Sequence, residues 1–444
     1  MFFSASLLSL ASAVLVSAHP TSHSSESVAR ALPGAWHHTD DHPVHALFRR
    51  QSSGATSFPK VGSPEWSAGF PTAKPDSNQI PQAWKDALNA AVQSGKIPGN
   101  VPVSRQTAPG TNPIYDGVAH PEQQPVCSST YKCRSDGQLW DAPNGTIGIS
   151  FDDGPLPTSD GLYTFLQQNN IPSTHFFIGV NILGNPNEFT TAYQTLQADL
   201  AVHTWTHPYM TTLSNADVVA ELGYTLALIY NSTNGRLARY WRPPYGDSDV
   251  RVDAIAREVF GLTTVIWNQD TEDWSIGQAT GTTASAIAAS FQKWLTGPKS
   301  PGLIVLEHEL SAGSVGAFEA AYPVMKSNGW QPVSVAQISG LGTYQNAANS
   351  TSPVVAVSGP LAGANNGAGI SSLVGAASSS SAAAASTTTA KSASKTGSAA
   401  SSTASVAGGA DNSNSQSGGA VAASPRSLAF FATMGALVLG ACVA

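Results

Sequence analysis

Two acidic residues stand side by side in the run Ser150-Phe151-Asp152-Asp153-Gly154-Pro155. Adjacent carboxylates at a strand end stopped by Gly-Pro can point in different directions, so that one binds a cation while the other stays free to take a proton. Asp-Asp-Gly-Pro is also good turn chemistry, and alone it decides nothing. Further on, His203-Thr204-Trp205-Thr206-His207 carries two imidazoles four residues apart. On a helical turn or in a tight loop both rings reach one ion, and a carboxylate from elsewhere completes a three-ligand site with an open position for water. Thr204 follows the first His, so the base must come from another segment.

Three later clusters extend the set. In Arg242-Pro243-Pro244-Tyr245-Gly246, two prolines fix φ and hold a turn that presents a guanidinium and a backbone N–H, the latter suited to an oxyanion; a plain loop is the alternative. Asp270, Asp273 and Trp274 offer carboxylates to orient or tune a neighbour and an aromatic wall for a sugar face. Leu306-Glu307-His308-Glu309 supplies a third histidine, a general acid if a carboxylate raises its pKa. Base, ligands, oxyanion donor, tuner and acid together make a complete metal-hydrolase kit.

These clusters need elements to hold them. Between residues 144 and 345, short apolar runs suited to buried parallel strands occur at 146–151, 174–180, 200–204, 239–242, 262–267, 303–307 and 332–335. Helical patterns lie between them. Val218, Val219, Leu222, Leu226 and Ile229 form one apolar stripe, and Val252, Ile255, Ala256, Val259 and Phe260 another, at three-to-four spacing. About seven βα units in an α/β chain close into a barrel or an open sheet. Polar clusters after five strands favour a distorted (β/α) barrel, whose chemistry sits at the C-terminal ends of its strands.

In this order the motifs closely resemble those of the polysaccharide deacetylases of carbohydrate esterase family four, fungal chitin deacetylases, bacterial peptidoglycan deacetylases and some acetylxylan esterases among them. The family's first motif has Thr where this chain has Ser150, and Glu309 stands where Asp is more common. The resemblance implies a distorted (β/α) barrel with Asp152 as general base. Asp153, His203 and His207 would hold one divalent metal, zinc first and cobalt as the alternative. Arg242 would orient the base, the Tyr245 N–H would face the oxyanion, Asp273 would tune the acid His308, and Trp274 with Tyr245 would line the acetyl pocket. The function implied is removal of N-acetyl groups from chitin. The alternatives are acetylxylan or peptidoglycan as substrate with the same mechanism, or a non-catalytic glycan-binding wall protein.

The chain ends add a setting. Of the 444 residues only 11% are charged, well below the roughly 25% usual in soluble domains. A net charge of -7 with no basic block beyond Arg49-Arg50 excludes the footprint of a nucleic-acid binder. Residues 1–18 form an apolar run ending in Val-Ser-Ala and read as a signal peptide, with an uncleaved anchor as the alternative. Residues 19–50 end in a dibasic pair and form a candidate pro-segment, unless the pair is an ordinary solvated one. Residues 51–143, rich in Pro and Gly with one helix pattern near 82–93, are expected to form an irregular extension packed on the catalytic domain, 144–345. Residues 346–427, dominated by Ser, Ala, Thr and Gly, are expected to be a disordered stalk. The apolar tail 428–444, after Ser417-Gly418-Gly419 and a polar spacer, has the layout of a glycolipid-anchor signal with Ser417 as candidate attachment site, a plain transmembrane tail being the alternative. Sequons at Asn144, Asn231 and Asn349 suit glycosylation in a secreted chain. Cys127 and Cys133 allow a small disulfide loop, and Cys442 is the odd one. Together these features point to secretion, an outer plasma-membrane anchor and a cell-wall substrate.

Overall fold

Apolar runs too short for helices become strands when both of their faces can be covered, and all seven runs expected to do so form strands in the computed structural model. The strands are β1 (Thr146–Asp152), β2 (Thr174–Phe177), β3 (Asp199–Val202), β4 (Tyr240–Trp241), β5 (Thr263–Thr264), β6 (Gln269–Asp270), β7 (Leu303–Leu306) and β8 (Gln331–Ser334). The eighth, β6, is two polar residues without an apolar signature and was not expected. The structure describes residues 58–354 together with His42, Val44, Leu47 and Phe48. The signal peptide, the rest of the candidate pro-segment, the stalk beyond residue 354, Ser417, Cys442 and the apolar tail lie outside the described residues.

Every pairing among these strands is parallel, in the order β5-β4-β3-β2-β1-β7-β6, with β8 also paired to β1. β1 is the hub. Its Ser150–Asp152 pair with β2, its Thr146–Ile149 with β8, and its Ile147 and Gly148 with β7. Ile147, Ile149 and Phe151 face the helices, whereas Phe176, Ala201, Tyr240, Val265, Ile304 and Leu306 belong to a second, inner cluster. Gly148 lies between these inner side chains; a Cβ there would come within 2.8 Å of Ile338 and 2.9 Å of Val335, closer than packed atoms tolerate. The sheet curls into a (β/α) barrel-like fold. A stretch of the N-terminal extension spans the interval between β5 and β7: Leu139 N–H donates to Thr264 O (2.9 Å), Ile266 N–H to Leu139 O (2.8 Å), and Gly302 N–H to Ala142 O (3.0 Å).

The two expected stripes lie on the helices Asn215–Ser232 and Val250–Phe260, and both are buried. Ser214 and Asp249 cap these helices by accepting from Asp217 N and Val252 N, and Gly261, left-handed at φ 65°, ends the second. The extension contributes the helix Gln82–Gln93 and long irregular stretches. It shares the core: Trp84 meets Phe260 edge-to-face at 5.6 Å, Phe70 stacks on Trp205 at 5.9 Å, and Trp66 Nε1 donates to Ser232 Oγ at 2.8 Å. Phe48, within the candidate pro-segment, also packs on Tyr230 (5.6 Å).

Two expectations need correcting. The ordered body runs past 345, because Asn346, Ala347 and Ser350 are buried. Asn346 accepts from Leu237 N and donates to Gly235 O, and Ser350 Oγ donates to Ala198 O. Asn231 lies 9% exposed inside the helix Asn215–Ser232, which leaves a branched glycan no path to solvent; Asn144 is exposed and Asn349 partly so. Among the described residues no helix is long and apolar enough to cross a membrane.

Candidate active site

At the C-terminal end of β1 the side chains should alternate between faces, which would send Asp152 and Asp153 to opposite sides. The backbone prevents that. Asp153 takes the left-handed conformation, φ 72°, and turns its carboxylate toward the space that Asp152 borders. From β3 comes the His203–His207 segment, a tight loop rather than a helical turn, with Thr204 at φ 64° and His207 at φ 60°. The loop is held from behind by Glu221, whose carboxylate accepts from Trp205 N (2.8 Å), Thr206 N (2.8 Å) and Thr206 Oγ1 (2.7 Å). These conformations cost a non-glycine residue about 1–3 kcal/mol each and persist only where the surroundings enforce them.

The result is a three-ligand cluster: one donor atom from each of Asp153, His203 and His207, all within 4.8 Å of one another. Asp153 Oδ1 lies 3.3 Å from His203 Nε2 and 3.2 Å from His207 Nε2. His203 Nδ1 is 2.8 Å from the Arg242 carbonyl. A carbonyl only accepts, so Nδ1 carries the proton and, in the neutral ring, Nε2 turns a lone pair toward the carboxylate. Asp153 Oδ1 is buried and receives no hydrogen bond. Lone pairs facing across such a gap fit a cation, with the carbonyl fixing the tautomer as in metal-bound histidines. Burial alone would raise the Asp153 pKa, but the His207 and His203 rings, with His308 beyond them, hold it well below the usual carboxylate range.

Asp152 borders this cluster, its Oδ2 3.9 Å from His203 Nε2. Its Oδ1 receives Arg242 Nη1 at 2.6 Å, while Arg242 Nη2 donates to Ser150 Oγ at 3.1 Å. The guanidinium is fully buried and lies 4.2 Å over the Phe176 ring. Asp152 is thus fixed in direction with Oδ2 left facing the site.

His308 stands beside Asp152 because the ends of β1 and β7 run in register. Asp152 N–H donates to Glu307 O (3.0 Å) and Glu309 N–H to Asp152 O (3.2 Å), which puts the Asp152 and His308 side chains on one face. Asp273 grips His308 twice, Oδ1 2.6 Å from Nδ1 and Oδ2 accepting His308 N–H at 2.8 Å. Burial alone would lower this imidazole's pKa. The Asp273 charge and hydrogen bond, aided by Asp153 and Asp152, outweigh that and push it up to about 10. Asp270, considered from sequence for the same task, instead accepts from Trp267 Nε1 (3.1 Å) and Glu272 N (2.8 Å).

Tyr245, left-handed at φ 60°, stacks flat on Tyr209 at 3.9 Å and meets the His207 ring at 4.7 Å. Tyr245 and Trp274 are 43% and 48% exposed, the first against the His207 ring and the second next in sequence to Asp273. Away from it, Cys127 and Cys133 form a disulfide, Cα atoms 5.0 Å apart.

Comparisons with known proteins show relatives of this chain. Residues 141–265 match the family model described as polysaccharide deacetylase. The chain is 40% identical over 333 residues to chitin deacetylase 3 of Cryptococcus neoformans var. neoformans serotype D, covering 74% of this chain and 78% of that protein. The chain belongs to the polysaccharide deacetylase family. This deacetylase is also 40% identical over 176 residues to the chitin deacetylase of Amylomyces rouxii, covering 37% of this chain and 39% of that one. A solved structure, the chitin deacetylase from Colletotrichum lindemuthianum, aligns at 24% identity and TM-score 0.41 over 46% of this chain and 92% of its own. The family-model match ends before Asp273 and His308, so in this deacetylase those two are tied to the site by geometry.

Sequence reasoning missed several supports, among them Glu221 behind the histidine loop, Tyr209 under Tyr245, and His175, whose Nδ1 lies 2.9 Å from Glu309 Oε1. For Glu221 a signal existed. It falls three residues after Val218, so a charged side chain shares the buried helix stripe.

Proposed function

We propose that this chain hydrolyses the N-acetyl groups of N-acetylglucosamine units in chitin, giving chitosan and acetate. The observation that carries the reading is Asp152, locked by Arg242 with one free oxygen, standing between the three-ligand cluster and His308. The fungal relatives named for chitin support that polymer. Asp153, His203 and His207 would hold one divalent ion, zinc first and cobalt as the alternative, which when bound supplies Lewis-acid polarisation and a water acidic enough to lose its proton near neutrality.

The chain's own residues do the rest. Asp152 Oδ2 takes the proton of the attacking water, and Arg242 keeps the carboxylate aimed. The Tyr245 N–H, presented by the proline-fixed turn, faces the oxygen on which charge develops. His308, charged through its pairing with Asp273, delivers its proton to the leaving amine. Tyr245 and Trp274 at the mouth offer flat apolar faces to a sugar ring. The apolar first 18 residues, the hydroxyl-rich stalk and the apolar tail support secretion and a glycolipid anchor at Ser417 that keeps the enzyme near the cell wall.

The test is acetate release from chitin oligomers, acetylxylan and peptidoglycan, each with chelator and with zinc or cobalt restored. Turnover of chitin oligomers that chelator abolishes and zinc restores is expected. Preference for acetylxylan or peptidoglycan would move the substrate, and full activity in chelator would overturn the metal scheme.

A further inference from the structure

A left-handed tyrosine does not hold itself, and the loop bearing Tyr245 is clamped by a carboxylate outside the family motifs. Asp247, 1% exposed, collects donors from two other segments. Thr211 N–H and Thr211 Oγ1 donate to Asp247 Oδ2 at 2.8 and 2.9 Å, and Thr130 Oγ1 donates to Oδ1 at 2.9 Å. Thr211 lies two residues past Tyr209, the ring stacked on Tyr245, and on the segment that carries His207. Thr130 sits inside the loop closed by the Cys127–Cys133 disulfide. That loop meets the Tyr245 segment along the backbone too: Ser129 N–H donates to Ser248 O (2.8 Å) and Val250 N–H to Val126 O (3.2 Å).

We infer that the disulfide loop, through Thr130 and Asp247, is a positioning element for the Tyr245 turn, so that turnover depends on a segment outside the barrel. One buried carboxylate joins three chain segments, and leaving a buried acceptor without its donor costs more than the bond contributes. The closed six-residue spacing presents Thr130 with little conformational freedom left to lose. Tyr245, two residues from Asp247, depends on that clamp to stay at φ 60° with its N–H aimed. Loosening the clamp should therefore reduce stabilisation of the developing oxyanion more than ground-state binding, to which the Tyr245 ring contributes one face.

The inference rests on the deacetylase reading, and Thr130→Val, which keeps the shape and removes the hydroxyl, tests it separately. Expected are a kcat lowered about tenfold, a KM raised by less than that factor, bound zinc unchanged, and faster hydrogen–deuterium exchange across 243–250 in a protein that stays folded. Thr130→Ser should restore both rate and protection. A Thr130→Val enzyme with wild-type kcat, a loss confined to KM, or a defect that Thr130→Ser leaves in place would overturn the inference. Should the wild-type protein release no acetate from any polymer, the substrate reading fails instead. The exchange comparison would still decide whether Thr130 holds the Tyr245 turn.

Discussion

The two halves of the active site are built on opposite principles. Around β1 and β3, Asp153, His203 and His207 crowd donor atoms together, with Asp153, Thr204 and His207 on left-handed backbone and Asp153 Oδ1 buried and receiving no hydrogen bond. Around β6 and β7, Asp273 has both oxygens filled by His308, one by the ring and one by the backbone N–H. The first half is complete only when something outside the chain joins it; the second is complete in itself. Removing a residue should therefore cost function without stability in the first half, and both together in the second.

The sharpest way to break this contrast is His203→Ala. Loss of one ligand should remove the ion and lower acetate release by at least about a thousandfold. The metal-free variant should melt only slightly below metal-free wild type, because the ring gives up its Arg242 carbonyl contact and its place beside Asp153 but leaves no filled hydrogen-bond network broken. Zinc should raise the wild-type melting temperature and leave that of the variant unmoved. A variant that unfolds on its own would show that His203 is held for stability rather than for a ligand.

In the second half, Asp273→Asn keeps the shape and removes the charge that pushes His308 up to about 10. Activity near pH 7 should fall about tenfold to a hundredfold, and the alkaline limb of the rate profile should move toward the ordinary histidine value of about 6.5. The sign for stability follows from linkage. His308 has a folded pKa above its unfolded one, so the pair's stabilisation is whole below about pH 6.5 and is lost as pH rises through about 10. Wild type minus variant stability should therefore shrink between those limits. A difference that grows with pH would refute the assignment.

The same contrast decides what could be read without coordinates. Asp152, Asp153, His203, His207, Arg242 and His308 were legible because each falls in a short polar cluster after an apolar run, and parallel strands deliver such clusters to one end of a barrel. β6 was not, since Gln269 and Asp270 carry no apolar pattern and pair only because β7 lies alongside. Supports such as Asp247, His175 and Tyr209 are made by contacts distant in sequence, which spacing does not encode. The end of the ordered body was placed too early because composition registers apolar content, whereas Asn346 and Ser350 are buried by hydrogen bonds.

The smallest expected effect sharpens the comparison most finely. Glu309 follows His308, yet its carboxylate turns away from the site to His175, both side chains fully buried. His175 Nε2 lies 3.0 Å from Ser173 Oγ, and a Cβ on Gly154 would come within 2.1 Å of Glu309 Oε1. Glu309 thus packs the β7 end against the turn that follows Asp153, which explains why glycine stands at 154. Glu309→Gln retains an acceptor for His175 and loses only its charge. It should lower stability by about 1–2 kcal/mol in denaturant unfolding and change kcat by no more than about threefold. If the rate instead fell as far as in Asp273→Asn with stability intact, Glu309 would act on the proton of His308, and the second half of the site would not be complete with Asp273 alone.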